Sequence, residues 1–572
     1  MKIGKGTAFT TGCKGFWSRE VCETDTIRTR PPVLTRTEPR RPSVSVCWDR
    51  NCIFSRTRWC AQTPLFCLFV LLFATLALAT DSRQALQNAA SLVQQGKLEE
   101  ADQQAQLALS DPQTRAAACS VLGSIRFQQK RFPESASLLE KAIRLEPHLV
   151  GAHLNLAEVY IVQGKPELAL PLYRHVLTLD PSNTTARLEL ARSETEKGNY
   201  QQSLELARPV LPALKQSPDG LFVLATDYLK ISDHDAAASL AGDWMRLPDI
   251  PPALSMQFAL LLARDGVVPE AIDILEGIKK KGPLSYELAF NLAGVYQLEQ
   301  HWALALASYD EALTLDPKAL PALQQAATIA EQQGQLERAL SYWMRAKKIE
   351  PDNPDILEGF GRVCLKKDLL DDAEPALTKA ADLRPNNAAY QYTLAAAKVG
   401  KKQFEAAQSL LESLLKQKQT DPQLQYALGS VLYLQGHLDD AAQHLRESVR
   451  LQPDQIAPYY YLALIGRDQG RDDEAIRTLE DLLRRYPDHS LSCEVLGGLL
   501  MNAHRYSEAE TSLEKAVRLN PNSVKANYQL GLLLTRMGKK EEAEKRLEIA
   551  KSLRTEDEGN SRLQLRLLDP DQ

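Results

Sequence analysis

From Val524 to Leu553 the chain reads VKANYQLGLLLTRMGKKEEAEKRLEIAKSL, with apolar residues recurring three and four apart on both sides of Gly538. That spacing draws an apolar stripe along an α-helix, so the stretch predicts two amphipathic helices joined by a tight turn. The pattern is written more than once. LEKAIRLEP ends at Pro147 and LEKAVRLNP ends at Pro521, 374 residues later, which is 11 steps of 34. Steps of 34 from Pro147 to Pro521 visit twelve positions, and nine are proline: Pro147, Pro181, Pro283, Pro317, Pro351, Pro385, Pro453, Pro487 and Pro521. Only 31 of 572 residues are proline, so chance would supply fewer than one, and a fixed period of this length marks a stack of repeated units.

With the proline placed at slot 32, repeats begin at Ser82 and every 34 residues to Val524, and fourteen fit without an insertion, ending at Asp557. Slot 8 is always Ala or Gly, and slot 20 is Ala except at Ser135 and Ser203. Small side chains at a fixed place in every repeat predict a close approach of two helix backbones. Slot 15 is glycine at Gly96, Gly164, Gly198, Gly266, Gly334, Gly436, Gly470 and Gly538, where it supplies the left-handed conformation that ends a helix. Each repeat is therefore read as helix A, a turn, helix B and a proline-terminated turn. Acidic pairs just after the turn (Glu99-Glu100, Asp371-Asp372, Asp439-Asp440, Glu541-Glu542) fall in the first turn of helix B, where exposed amides favour negative charge, and are not read as catalytic.

Slots 8, 15, 20 and 32 in register resemble the tetratricopeptide repeat; AEVYIVQGKPELALPLYRHVLTLDP, from Ala157 to Pro181, is similar along its whole length. The resemblance covers 82–557. It implies an all-α, right-handed superhelical α-solenoid of about 14 helix-turn-helix repeats, with helices A lining the concave face. It divides the chain into an N-terminal array at 80–285, whose repeats four to six are degenerate (KQSPDG and RLPDIPPA replace the usual turns), and a C-terminal array at 286–557, followed by a capping helix and tail at 558–572.

Charge and cysteine use set the front of the chain apart. Residues 1–79 hold 12 Lys+Arg against 5 Asp+Glu, whereas the remainder holds 56 against 68, a surplus of negative charge that argues against a nucleic-acid partner. Six of nine cysteines lie at or before Cys67, and Cys119, Cys364 and Cys493 in the body are read as small core residues. Leu65–Ala79 reads LFCLFVLLFATLALA, preceded by Arg50, Arg56 and Arg58 and ending in an A-x-A pattern, so 63–79 is expected to be a signal peptide cleaved between Ala79 and Thr80, with Ala77 and Ala79 as the small residues, or a membrane anchor. Residues 1–62 are Arg-, Thr- and Pro-rich and are read as a disordered basic leader or an upstream extension of the true start. These features lead to an extracytoplasmic, periplasmic or secreted, or membrane-anchored location. Asn183-Thr184-Thr185 is a glycosylation sequon.

No HExxH, GxSxG or glycine-rich phosphate loop occurs, and only 15 residues follow Asp557, so a non-enzymatic protein without metal or cofactor is expected. What the resemblance implies is a scaffold that binds a peptide or protein in a concave groove lined by slots 2, 5, 6, 9, 12 and 13. Slot 5 supplies Phe290, Tyr392, Tyr426, Tyr460 and Tyr528, with Tyr433 at slot 12, an aromatic set suited to an extended apolar or proline-rich peptide. No repeat has Lys at slot 5 or Asn at slot 9, the pair with which some members of the family clamp a chaperone's C-terminal carboxylate. Two roles fit: a scaffold organising an envelope, secretion or polysaccharide-export assembly, or a regulatory or substrate-presenting subunit of a separately encoded enzyme such as a glycosyltransferase or protease.

Overall fold

Helix A of half the repeats begins where slot 34 caps it. Asn183, Ser217, Ser285, Asn353, Asn387, Asp421 and Ser523 each accept a hydrogen bond from a backbone N–H of the first helical turn, which satisfies donors that have no partner within the helix. Asn183 is fully engaged this way: its Oδ1 accepts from the Ala186 N–H at 3.0 Å and its Nδ2 donates to Asp180 at 3.1 Å, so the sequon asparagine is a structural cap. Helix B lacks such caps except at Asp233, which accepts from the Ala236 N–H at 3.1 Å, and instead places acids in its first turn, as at Glu99, Asp371, Asp439 and Glu541.

A computed structural model of the protein describes residues 81–557. The leader at 1–62, the segment 63–79 with its Ala77, Ala79 and Thr80 junction, and the tail at 558–572 lie outside the described residues. Among those described there is no strand, and helices follow the 34-residue register from 81–94 to Lys540–Asp557. The protein is an all-α solenoid, with fourteen helical hairpins among the described residues.

Three slots explain why the register holds. At slot 15 all fourteen residues adopt positive φ, from 57° at Gln300 to 96° at Gly266. The turn therefore keeps its left-handed geometry at Lys130, Ser232, Gln300, Asp368, Lys402 and His504, where no glycine relieves the backbone. At slot 20 every side chain is buried, Ser135 and Ser203 included, with the Ser135 hydroxyl donating to the Gly123 carbonyl at 2.7 Å. At slot 8 the small residue lies under the side chain sixteen positions on. A Cβ at Gly123, Gly361, Gly429, Gly497 or Gly531 would come within 2.5–2.8 Å of the Cγ of Leu139, Leu377, Leu445, Leu513 or Leu547. Each of these glycines lies flush against the leucine that closes its hairpin, whereas Ala259, Ala395 and Ala463 share their repeats with Leu275, Leu411 and Leu479 at the same two slots.

The chain divides into two compact blocks, one ending at Ile231 and one beginning at Ser232. In the N-terminal block, prolines 209 and 212 break helix B of the fourth repeat into Tyr200–Ala207, a 3-10 turn Arg208–Val210 and Leu211–Leu214. In the C-terminal block, helices A of successive repeats touch one another as well as the helix B between them, whereas successive helices B approach less closely, so helices A lie on the inner side of the curve. The exception is at its start, where helices His234–Arg246 and Val268–Lys281, both helices B, pack together. Cys119, Cys364 and Cys493 are buried free thiols.

Candidate functional site

The inner face of the C-terminal block combines a tyrosine cluster with a charged section. Helix Ala457–Asp468 carries Tyr460 and Tyr461 at slots 5 and 6. Tyr461 is the hub: its ring meets Tyr426 at 6.0 Å, Tyr433 at 5.5 Å and Tyr460 at 5.8 Å, all edge to face, and Tyr460 in turn meets His489, the last residue of the same repeat, at 5.7 Å. Such edge-to-face pairs add about 0.5–1.5 kcal/mol beyond their buried area, so the cluster is held rigidly. Tyr433 donates its hydroxyl to Asp468 at 2.7 Å, and burial together with that carboxylate pushes its pKa above the ordinary phenol value. Arg467 pairs with Asp468 at 2.8 Å. Tyr392, one repeat upstream, accepts from Gln423 at 3.1 Å, and burial raises its pKa to about 12.

The structure thus brings Tyr426, Tyr433 and Tyr460 into one cluster and leaves the other expected residues apart. Phe290 packs with Tyr286 and Tyr309 in the seventh repeat, at 5.7 and 5.6 Å. Tyr528 is half exposed in the fourteenth. One expectation is corrected: Tyr426 is completely buried and cannot meet a ligand, because Tyr461 of the next repeat packs against its ring. Tyr460, in the same slot, is only half-buried. His489 was not among the expected residues, and Tyr461 was expected only as a neighbour flanking Tyr460. The signal for Tyr461 was its place at slot 6, one of the inner-face positions.

The charged section lies in repeats eight to ten. Glu331, 5% exposed, pairs with Arg362 and, at 3.4 Å, with Lys366. Arg362 also pairs with Glu358 at 3.0 Å, and Glu358 accepts from the Thr393 hydroxyl at 3.2 Å. These residues occupy slots 12, 9, 13, 5 and 6, all inner-face positions, and their mutual pairing links three repeats through side chains taken largely out of water. Among the described residues no cluster of three or more His, Cys, Asp or Glu could hold a metal ion, and no helix is long and apolar enough to cross a membrane.

Family profiles agree with this architecture. A tetratricopeptide repeat family profile matches 162–221, 365–431 and 500–559, and a second one matches 325–388. A profile described as anaphase-promoting complex, cyclosome, subunit 3 matches 400–482. A curated relative, Protein CTR9 homolog of Arabidopsis thaliana, is 20% identical over 288 residues, 48% of this chain. The match spans only 26% of that relative's length. Among solved structures, the hetero-tetramer Cut9–Hcn1 of the APC/C is similar over 77% of this chain and 95% of that one, with 15% identity and a TM-score of 0.37. A tetratricopeptide repeat protein from Parabacteroides merdae is similar over 44% of this chain and 98% of that one, with 17% identity and a TM-score of 0.38.

Proposed function

We propose, from the premise that this chain is an all-α tetratricopeptide-repeat solenoid, that it is a non-catalytic interaction scaffold holding an extended peptide or protein segment against the inner face of its C-terminal block. The observation that carries this reading is the tyrosine cluster around Tyr461: rigid aromatic edges, half-buried and therefore still presenting surface, on helices that already stack into a continuous wall. Rigid aromatics lose little conformational entropy on binding, which is why they serve as anchors. The charged section around Arg362 and Glu331 would fix the register of the bound segment. A profile named for a subunit of a multi-protein complex matches 400–482, across the tyrosine cluster, and supports a role within an assembly of that general kind.

The reading extends to an extracytoplasmic or membrane-anchored location, and to envelope, secretion or export assemblies, on the strength of the apolar segment Leu65–Ala79 alone. N-terminal sequencing of the natural protein tests that part: a mature start at Thr80 supports export, and retention of 63–79 in a soluble fraction rules it out. The scaffold reading is tested by affinity capture with the full chain, then with Tyr460→Ala and Tyr433→Ala. Loss of the captured partner with helical content unchanged is expected. Undiminished capture by both variants removes the tyrosine cluster from the binding face.

A further inference from the structure

On the outer side of the C-terminal block, away from the tyrosine cluster, a cavity of about 570 Å³ opens between consecutive helices B of the eleventh and twelfth repeats, Leu438–Leu451 and Asp472–Arg485. Its floor is helix Ala457–Asp468, which contributes Tyr459, Leu462 and Ile465. Ala442 on one wall and Thr478 on the other are too short to fill the gap, so it stays open.

The lining is strongly cationic. Arg446, Arg471, Arg484 and Arg485 surround the cavity against two carboxylates, Glu474 and Asp481. The carboxylates are already used: Glu474 pairs with Arg471 at 2.8 Å and Asp481 pairs with Arg484. Among the described residues Arg446 and Arg485 have no carboxylate within ion-pair distance. Arg485 is nonetheless held in place. Its guanidinium lies 4.3 Å from the centre of the Tyr459 ring, and its Nη1 donates to the Pro453 carbonyl at 3.0 Å and to the Tyr459 hydroxyl at 3.4 Å. A cation fixed by a ring face and a carbonyl keeps its remaining N–H donors for another acceptor.

We propose that this cavity is a binding site for a phosphorylated side chain, phosphoserine or phosphothreonine, of a partner peptide. Two uncompensated guanidiniums match the charge of a phosphate monoester, which carries about −1.5 to −2 at neutral pH, and arginine forks match phosphate oxygens in pairs. A single carboxylate would leave one positive charge over. Inorganic phosphate would leave most of the cavity empty, whereas the flanking residues of a peptide can cover the apolar floor of Leu462 and Ile465. The acidic body of the chain disfavours a nucleic acid, whose phosphates extend far beyond the cavity. The two deciding arginines, Arg446 and Arg485, lie on helices B, and neither belongs to the tyrosine cluster, so the proposal stands or falls independently of the inner-face reading.

The test uses the full chain and fluorescein-labelled Ala-Leu-pSer-Leu-Ala, with the Ser and Glu counterparts, by fluorescence anisotropy. Saturable binding of the phosphopeptide is expected, at least tenfold tighter than the Glu peptide, with no saturation for the Ser peptide. Arg446→Gln should weaken it at least fivefold, as should Arg485→Gln, while Arg518→Gln, outside the cavity, should change nothing. Arg485 also braces the Pro453 carbonyl, so unfolding of that variant would leave Arg446→Gln, an exposed side chain without a structural bond, as the deciding measurement. The proposal is overturned by no saturable binding, by equal binding of the Glu peptide, by unchanged affinity in Arg446→Gln, by displacement with inorganic phosphate at the same concentration as unlabelled phosphopeptide, or by stronger displacement with a single-stranded oligonucleotide.

Discussion

Alanine for glycine in the middle of a helix ordinarily stabilises by about 1 kcal/mol, because glycine loses more backbone entropy on folding. At Gly361 the opposite is expected. It sits mid-helix in Pro354–Lys366, and an added Cβ would lie 2.5 Å from Leu377 Cγ and 2.8 Å from its Cδ2. Leu377 is fully buried, so it cannot swing aside without displacing further core residues. Overpacking of that kind costs about 1–3 kcal/mol, which outweighs the helical gain and leaves Gly361→Ala about 1 kcal/mol less stable. Gly277, within helix Val268–Lys281, is the control, since nothing lies within 4 Å of its built Cβ. There the same substitution should gain about 1 kcal/mol. Repeat arrays need not unfold in one step, so the readout is native-state hydrogen exchange of peptides spanning 354–383 and 268–281. Exchange should quicken about fivefold in the first and slow about fivefold in the second, using ~1.4 kcal/mol per factor of ten. The double variant Gly361→Ala/Leu377→Ala should be no less stable than Leu377→Ala, because the clash disappears and the new methyl fills part of the cavity. If Gly361→Ala slows exchange as Gly277→Ala does, the claim that Leu377 leaves no room for a Cβ at position 361 is wrong.

Lys402→Gly should stabilise the tenth repeat by about 0.5–1 kcal/mol, since Lys402 holds φ at 58° with no glycine to ease it; a lowered melting temperature would contradict this. Asp227 is fully buried, accepts from Thr195 at 2.7 Å, and burial lifts its pKa from 3.8 to about 6. A carboxylate raised in the folded state binds more protons there than when unfolded, so its penalty is absent below pH 4 and complete above pH 6. Relative to Asp227→Asn, wild type should therefore lose stability by up to about 3 kcal/mol as pH rises through that window, by denaturation at pH 4 and pH 7; a constant difference would remove the linkage. Cys364 is buried and its thiol is pushed up to about 12; native protein should resist iodoacetamide there at pH 8 and react only after denaturation, as read by peptide mass spectrometry.

The register of this fold is written fourteen times, so single irregularities cannot hide it: slot 20 is buried in every repeat, and slot 32 keeps its turn even where Lys215 or Gln419 replaces proline. What the sequence does not carry is whatever depends on a neighbouring repeat. Gln300, Lys402 and His504 contain no hint of positive φ; only their place in the period predicts it. Tyr426 and Tyr460 occupy the same slot and look alike on paper. One is sealed because the repeat after it brings Tyr461 against its ring, and the other faces His489 and stays half open. The arginine-lined cavity is likewise invisible in sequence, since it arises where two helices B of successive repeats meet with short side chains, Ala442 and Thr478, facing the gap.

This division indicates where specificity must reside. Slots 8, 15 and 20 are held fixed by contacts that every hairpin needs, so they can distinguish no partner from another. Slots 5, 6, 9 and 12 project from the inner side of helix A, and there the repeats differ: glutamate at Glu358, arginine at Arg362, tyrosine at Tyr392, Tyr433, Tyr460 and Tyr461. The stacking energy of the hairpins is shared along the block and tolerates changes at these positions, whereas a bound chain would meet them one repeat at a time. Stacking then places a charged section in repeats eight to ten beside an aromatic section in repeats ten to twelve. A segment bound along this face would need polar, charge-bearing side chains at one end and apolar ones at the other, and reversing its direction would set its charges against the tyrosines. Chain direction, as much as composition, would therefore be selected by the departures from the repeat.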